Sequence, residues 1–181
     1  MDAKKAKKRS KFFSQLLRHR PELVGLELEE GGWVEVKEFL EKINNYKNGN
    51  SITFEELEYI VATNDKQRFG FNEDKTKIRA NQGHSIEVAM NYEATIPPPI
   101  LYHGTATKNV DSILQNGILK RNRQYVHLSA DIETAQKVGK RHGKPYIFEI
   151  KTIKMQEVGL LFYQAKNGVW LIDAVPKEFL I

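Results

Sequence analysis

Three consecutive prolines, Pro97 to Pro99, interrupt the chain near its midpoint and close a stretch, NYEATIPPP, that has no apolar periodicity. Proline fixes its own φ, lacks an N–H and steers the preceding residue away from the helical region, so neither a helix nor a central strand runs through this segment. The sequence therefore predicts two lobes, residues 1–91 and 100–181, joined by an extended Pro-rich linker over 92–99. With 40% hydrophobic residues, the 181-residue chain has enough apolar material for such lobes to fold without cross-links. Cysteine is absent, which removes disulfides, thiolate metal sites and cysteine nucleophiles together. No run approaches the roughly 20 apolar residues of a membrane span, and no long apolar segment follows the basic start MDAKKAKKRSKFF, so a cytoplasmic protein with no membrane contact is expected.

Before the linker the pattern is helical, then turns to strands. Residues 1–9 read as a basic tail, solvated and disordered, with Ser10 capping a helix whose apolar residues Phe12, Phe13, Leu16 and Leu17 share one face and which Pro21 stops. A second helix is predicted over Val36 to Ile43. A third starts at Thr53, where Thr53 and Glu56 make a T-x-x-E capping box. FGFNEDKTKIRA then reads as two short strands about a polar turn, and helices followed by a hairpin suggest a small winged-helix-like lobe. This half carries 16 Lys and Arg against 15 Asp and Glu, so strong duplex binding is not expected of it.

After the linker, short apolar runs (ILYHGT, YVHLSA, PYIFEI, GVWLIDAV) alternate with helical segments around Val110 to Leu114 and Ile132 to Val138. Asn116-Gly117 stops the first helix, and Ser129 and Asp131 are suitable caps for the second. The whole chain is thus read as α+β, its second lobe built on a mostly antiparallel sheet.

Cationic clusters recur where helices end and strands begin: L-R-H-R-P at Leu17 to Pro21, N-D-K-Q-R-F at Asn64 to Phe69, and K-R-N-R-Q-Y-V-H-L-S at Lys120 to Ser129. Each alone is equally a solvated helix end or loop. Together they are compatible with one phosphate site, because the guanidinium fork binds phosphate oxygens bidentately and stays charged. I-R-A-N-Q-G-H-S at Ile78 to Ser85 offers amides and His84 to a sugar or phosphate, or is a satisfied turn. In L-Y-H-G-T, Gly104 permits close backbone approach beside His103. The five histidines show no i, i+4 pair, so no metal site is expected, and neither a P-loop nor a G-x-G-x-x-G fingerprint occurs.

In this order, L-R-H-R-P, G-G-W-V, N-D-K-Q-R-F, I-R-A-N-Q-G-H-S, L-Y-H-G-T, V-H-L-S and F-Y-Q-A-K-N-G-V-W-L closely resemble the RNA 2′-phosphotransferase family, also called the tRNA 2′-phosphotransferase or KptA family, from Ser10 to Ile181. The resemblance implies a winged-helix lobe and an ADP-ribosyltransferase-like, NAD-binding lobe with the site in the cleft between them. It also implies a monomer that acts on RNA or tRNA carrying an internal 2′-phosphate. The family transfers that phosphate to NAD in two steps, without a metal. The RNA phosphate displaces nicotinamide from the anomeric carbon, and the adjacent ribose hydroxyl then attacks the phosphate. The products are 2′-hydroxyl RNA and ADP-ribose 1″,2″-cyclic phosphate.

By resemblance the catalytic set is Arg18, His19, Arg68 and Arg123, the arginines clamping phosphate and His19 assisting proton transfer. The family pattern reads Gly, a Met four residues on and an Arg two further. Gly117 is followed here by Arg121 at the Met position and Arg123 at the Arg position, so both arginines stay in play. His103, Gly104 and Thr105 match one NAD-binding strand, His127 and Ser129 a second, and Gln82 and His84 are assigned to contacts with substrate or between lobes. Tyr125 replaces the usual histidine, and Val169 stands where many protein-modifying relatives carry a catalytic glutamate. Two other readings stay open: ADP-ribosylation of a terminal nucleic-acid phosphate without the second step, and a winged-helix binding protein that senses NAD.

Overall fold

Asp2, the first acid of the chain, opens the first helix. In the computed structural model, which describes residues 2–46 and 51–181, helix α1 runs Ala3–Arg18, and the Asp2 carboxylate accepts the Lys5 N–H at 2.8 Å. The basic segment expected to be a disordered tail is therefore helical. Ala6 and Ser10 extend the buried stripe of Phe13 and Leu17 back towards the N-terminus, which leaves the lysines to the solvent side. Ser10 is thus an interior residue of the helix rather than its cap, and its Oγ accepts from Asn64 Nδ2 at 2.6 Å.

Helix α2 spans Val36–Asn45 and α3 spans Phe54–Ala62. Thr53 caps α3 as expected, its Oγ1 accepting the Glu56 N–H at 3.3 Å. The reciprocal half of the box is diverted: the Glu56 carboxylate pairs with Arg9 at 2.7 Å, which ties α1 to α3 and holds its pKa low. Strands β2 (Phe69–Phe71) and β3 (Lys77–Ala80) form the expected hairpin, and β1 (Trp33–Glu35) joins it on the far side of β3, giving the antiparallel order β1-β3-β2. G-G-W-V was too short to read as a strand from alternation. Phe13, Leu16, Phe39, Leu57, Ile60 and Ile78 fill the core between these helices and the sheet. Phe13 meets Phe39 edge-on at 5.2 Å.

The chain divides into two compact units, Met1–Asn91 and Tyr92–Ile181. The Pro-rich segment does not hang free as a linker but is stitched to the second unit. Ala94 bridges Tyr163, the Thr95 N–H reaches the Phe162 carbonyl at 2.8 Å, and Thr152 bonds the Pro98 carbonyl through Oγ1.

In that second unit every strand pairing is antiparallel. β4 (Ile100–Ala106) pairs with β7 (Pro145–Lys151), and β6 (Val126–Leu128) pairs with β9 (Trp170–Ile172), which also holds β8 (Tyr163–Gln164). A bridge between Tyr102 and Ser129 links β4 to β6, and β5 (Ile118–Leu119) pairs with β10 (Ala174–Val175). The helices are α4 (Val110–Asn116), α5 (Ile132–Gly139) and an unanticipated α6 (Thr152–Glu157). Asp131 caps α5, its carboxylate accepting the Thr134 N–H at 2.7 Å, whereas Ser129 serves the bridge and not the cap. Among the described residues no helix is long and apolar enough to cross a membrane.

Two glycines let α5 lie directly on β4. A Cβ on Gly104 would stand 1.7 Å from the Ala135 carbonyl oxygen, and one on Gly139 would stand 2.8 Å from that of Thr105. Helix and strand therefore meet backbone to backbone, so the end of α5 sits beside His103 to Thr105.

Candidate functional site

In the first unit, three of the sequence motifs converge. Arg18 ends α1 and is buried at 8% exposure, with Nη2 donating to the Arg68 carbonyl at 3.3 Å. The same carbonyl accepts the Asn81 N–H at 2.9 Å, and the Arg18 carbonyl accepts the Ser85 N–H at 2.9 Å. His19 follows at the helix C-cap, its Nδ1 at 2.8 Å from Ser85 Oγ, which fixes the ring. Arg18, His19, Arg68 and the loop from Asn81 to Ser85 are thus one hydrogen-bonded assembly.

Asn64 and Asn81 organise that assembly, a role the sequence reading did not give them. Buried Asn64 presents Oδ1 to the N–H of Lys66 and to both the N–H and Nη1 of Arg68, at 3.2, 3.4 and 3.3 Å. Its Nδ2 meanwhile anchors on Ser10. Asn81 Nδ2 donates to the carbonyls of Gln67 and Phe69 at 2.6 and 3.3 Å, clasping the residues on either side of Arg68. Gln67 has φ +41°, the left-handed region a non-glycine residue enters at a cost. Arg68 is thereby held by neutral oxygen, and no carboxylate among the described residues pairs with it, so its charge is left for an anion.

Gln82 is half-buried, and its Oε1 lacks a hydrogen-bond partner among the described residues. Such an orphaned acceptor calls for a donor from outside. His84 is 1% exposed, with Nε2 3.2 Å from where a Gly32 Cβ would stand. It occupies the interior of its own unit.

The second unit holds a cavity of about 560 Å³. His103, Gly104, Thr105 and His127 line it, as do Arg121 and Arg123, while Ser129 lies outside the lining. The N–H and carbonyl of Ser129 are both engaged by Tyr102, at 2.8 and 2.9 Å. His103 Nδ1 is 3.1 Å from the His127 carbonyl, which accepts only, so Nδ1 carries the proton and Nε2 is an acceptor. Burial pushes its pKa down, against the opposing effect of that bond, and the ring is neutral near pH 7. Thr105 Oγ1 accepts from Asn109 Nδ2 at 3.1 Å.

The missing side chain of Gly104 is accounted for by α5 rather than by an approaching ligand. Arg121 and Arg123 are exposed on the turn after β5, Arg121 with φ +51°. The sequence reading missed Asn109, Arg141 and His142, which also line the cavity. The last two sit just beyond α5, which the close approaches at Gly104 and Gly139 seat on β4. The lining includes Lys120, Arg121, Arg123 and Arg141 but no carboxylate. Lys120 pairs with exposed Asp173. Among the described residues no group of three or more His, Asp or Glu side chains is placed to hold a metal ion.

A family model described as "RNA 2′-phosphotransferase, Tpt1 / KptA family" matches residues 4–174. A protein of Trichormus variabilis is 52% identical over 180 residues, covering 99% of this chain and 98% of its own. One of Fusobacterium nucleatum is 53% identical over 174 residues, 96% of each chain. A third, from Flavobacterium johnsoniae, is 51% identical over 175 residues, 97% of this chain and 95% of its own. Each of the three bears the name "Probable RNA 2′-phosphotransferase".

Proposed function

The chain belongs to the RNA 2′-phosphotransferase, Tpt1/KptA family, and from that membership we propose that it removes an internal RNA 2′-phosphate by transferring it to NAD. The observation that carries the NAD assignment is the cavity of the second unit. At about 560 Å³ it has the size of a small-molecule site. Its lining of cations without carboxylates suits a pyrophosphate, and the neutral His103 offers a ribose hydroxyl an acceptor at Nε2. NAD supplies an anomeric carbon bearing a cationic leaving group, with a hydroxyl beside it.

In this reading His103, Thr105 and His127 hold the dinucleotide, and Gly104 shapes the cavity by admitting α5. Arg18, Arg68 and Arg123 act on the phosphoryl oxygens of the RNA, where preorganised cations stabilise the charge that gathers on phosphorus. Their preorganisation in the first unit comes from Asn64 and Asn81, which hold Arg68 without neutralising it. His19, with Nδ1 set against Ser85, takes up the proton of the attacking hydroxyl. Gln82 Oε1 accepts a donor of the RNA residue. The winged-helix and ADP-ribosyltransferase architectures are part of the same proposal.

The test is incubation of the full chain with a short RNA bearing an internal 2′-phosphate, with and without NAD and with a chelator present. Expected are NAD-dependent loss of the 2′-phosphate, release of nicotinamide and formation of a cyclic phosphate of ADP-ribose. Loss of phosphate without NAD overturns the proposal. A stable ADP-ribosylated terminus as sole product assigns the chain to terminal capping instead.

A further inference from the structure

Helix α1 carries a cationic face that the fold does not use. The helix contains no acidic residue, and Lys4, Lys7, Lys8 and Lys11 fall at i, i+3, i+4 and i+7, which places them on one side of it. All four are exposed, and none makes an ion pair or hydrogen bond with a described residue. Arg9, off this face, behaves as a structural cation: it reaches Glu56 at 2.7 Å and the Ser51 carbonyl at 3.2 Å. The buried side of the helix is Ala6, Phe13 and Leu17.

Helix stability does not explain the arrangement. Like charges at i, i+3 and i+4 repel, and cations in the first turns oppose the helix dipole. The first unit is nearly neutral in sum, with 16 Lys and Arg against 15 Asp and Glu, so this face is a local concentration of charge. It also points somewhere: continuing the heptad from Lys4 through Lys11 arrives at Arg18, at the assembly that joins Arg18, His19 and Arg68. At a rise of 1.5 Å per residue, the lysines lie from about 10 to about 20 Å from Arg18 along one straight element.

We infer that the Lys4–Lys7–Lys8–Lys11 face binds the sugar-phosphate backbone of the RNA strand beside the phosphate held at Arg18 and Arg68. This rests on the reading of the chain as an enzyme acting on RNA. It adds which surface tracks the strand: a polyanion with regularly repeating charges matches a cationic stripe on a rigid rod. Reach follows from geometry. A substrate of a few nucleotides ends before the lysines, and a longer strand does not.

The four lysines are replaced together by glutamine, which is close to lysine in helix propensity, and the retention of α1 is verified by circular dichroism. Fluorescence anisotropy with a long single-stranded RNA lacking both 2′-phosphate and NAD reads the surface without turnover. Binding is expected to weaken at least tenfold, and the slope of log K against log salt to become shallower by about 0.7 for each lysine that loses a phosphate. Turnover of a 2′-phosphorylated trinucleotide is expected to be unchanged. Equal binding and an equal salt slope overturn the inference, as does a parallel loss of trinucleotide turnover. Failure of the wild-type chain to release nicotinamide would strike the proposed reaction and leave the anisotropy result to decide the surface.

Discussion

Gly104→Ala separates a packing role from a ligand role at one atom. The added Cβ would lie 1.7 Å from the Ala135 carbonyl oxygen and 2.5 Å from its carbon, so α5 must move off β4 by roughly 2 Å to restore an ordinary contact. That contact is backbone on backbone, and no rotamer change relieves it. Overpacking of this kind costs about 3 kcal/mol, the upper end of the usual range, which for a chain of this size lowers Tm by roughly 10 °C. Thermal unfolding followed by circular dichroism is the assay, with NAD affinity measured by calorimetry well below the transition. The double variant Gly104→Ala/Ala135→Gly should recover nothing, because the offending atom is a carbonyl oxygen and glycine weakens the helix by a further ~1 kcal/mol. A Gly104→Ala chain with wild-type Tm and weakened NAD binding would refute the packing argument and return Gly104 to the ligand.

Arg18→Ala and Arg68→Ala should each lower 2′-phosphate removal at least tenfold, since a charged hydrogen bond to phosphate contributes about 1.5 kcal/mol or more; wild-type turnover in either variant removes that residue from the reaction. Arg121→Gly should retain activity and gain up to ~1 kcal/mol in urea denaturation by relieving the φ +51° backbone, whereas Arg123→Ala should lose activity at least tenfold; the reverse pattern identifies Arg121 as the phosphate ligand. His103 has a folded pKa below its ordinary 6.5, so the unfolded chain binds the proton more readily; the stability it contributes is full above pH 6.5 and is lost as pH falls from there through the folded value. Between pH 7 and pH 5, His103→Gln should therefore flatten the decline of unfolding free energy, and an unchanged slope would contradict a desolvated, neutral ring.

Elements whose signals are local were legible in the sequence. The Thr53 cap, the Asp131 cap, the hairpin about Asn72 to Thr76 and the stop at Gly117 each rest on residues within one turn of each other. Elements defined by a distant partner were not. β1 is three residues long, too few for an alternation to register, and exists because β3 pairs with it. The first turns of α1 look disordered by charge, yet Ala6 and Ser10 are buried and Arg9 is tied to Glu56 across the unit. The site divides the same way. Arg18, His19 and Arg68 stand out as cationic motifs, but what positions them is Asn64 and Asn81, whose composition signals only a loop. Arg141 and His142 lie by the cavity because α5 packs on β4, and although the sequence marks Gly104 as a place of close backbone approach, it does not say that α5 is what approaches.

Arg9 and Arg68 show why the tether matters. Both are arginines of the first unit with partners fixed by the fold, but Arg9 meets a carboxylate and is neutralised, while Arg68 meets the amide oxygen of Asn64 and keeps its charge. If that distinction is what makes Arg68 a phosphate ligand, Asn64→Asp should convert one kind of arginine into the other with almost no change in shape. The new carboxylate would lie 3.3 Å from Arg68 Nη1 and still accept the N–H groups of Lys66 and Arg68, and Ser10 Oγ can turn its hydroxyl to donate where it formerly accepted. The unit should therefore stay folded, because a buried carboxylate paired with a guanidinium and two backbone donors is compensated. Phosphate binding should not survive equally well, since the pair now presents no net charge to a dianion; KM for 2′-phosphorylated RNA should rise at least tenfold with NAD affinity unchanged. Asn64→Ala, which leaves Arg68 charged but loosely held, should instead destabilise the unit by about 2 kcal/mol through the unsatisfied donors. An Asn64→Asp chain with wild-type KM would show that Arg68 acts by position alone and that the neutrality of its tether is incidental.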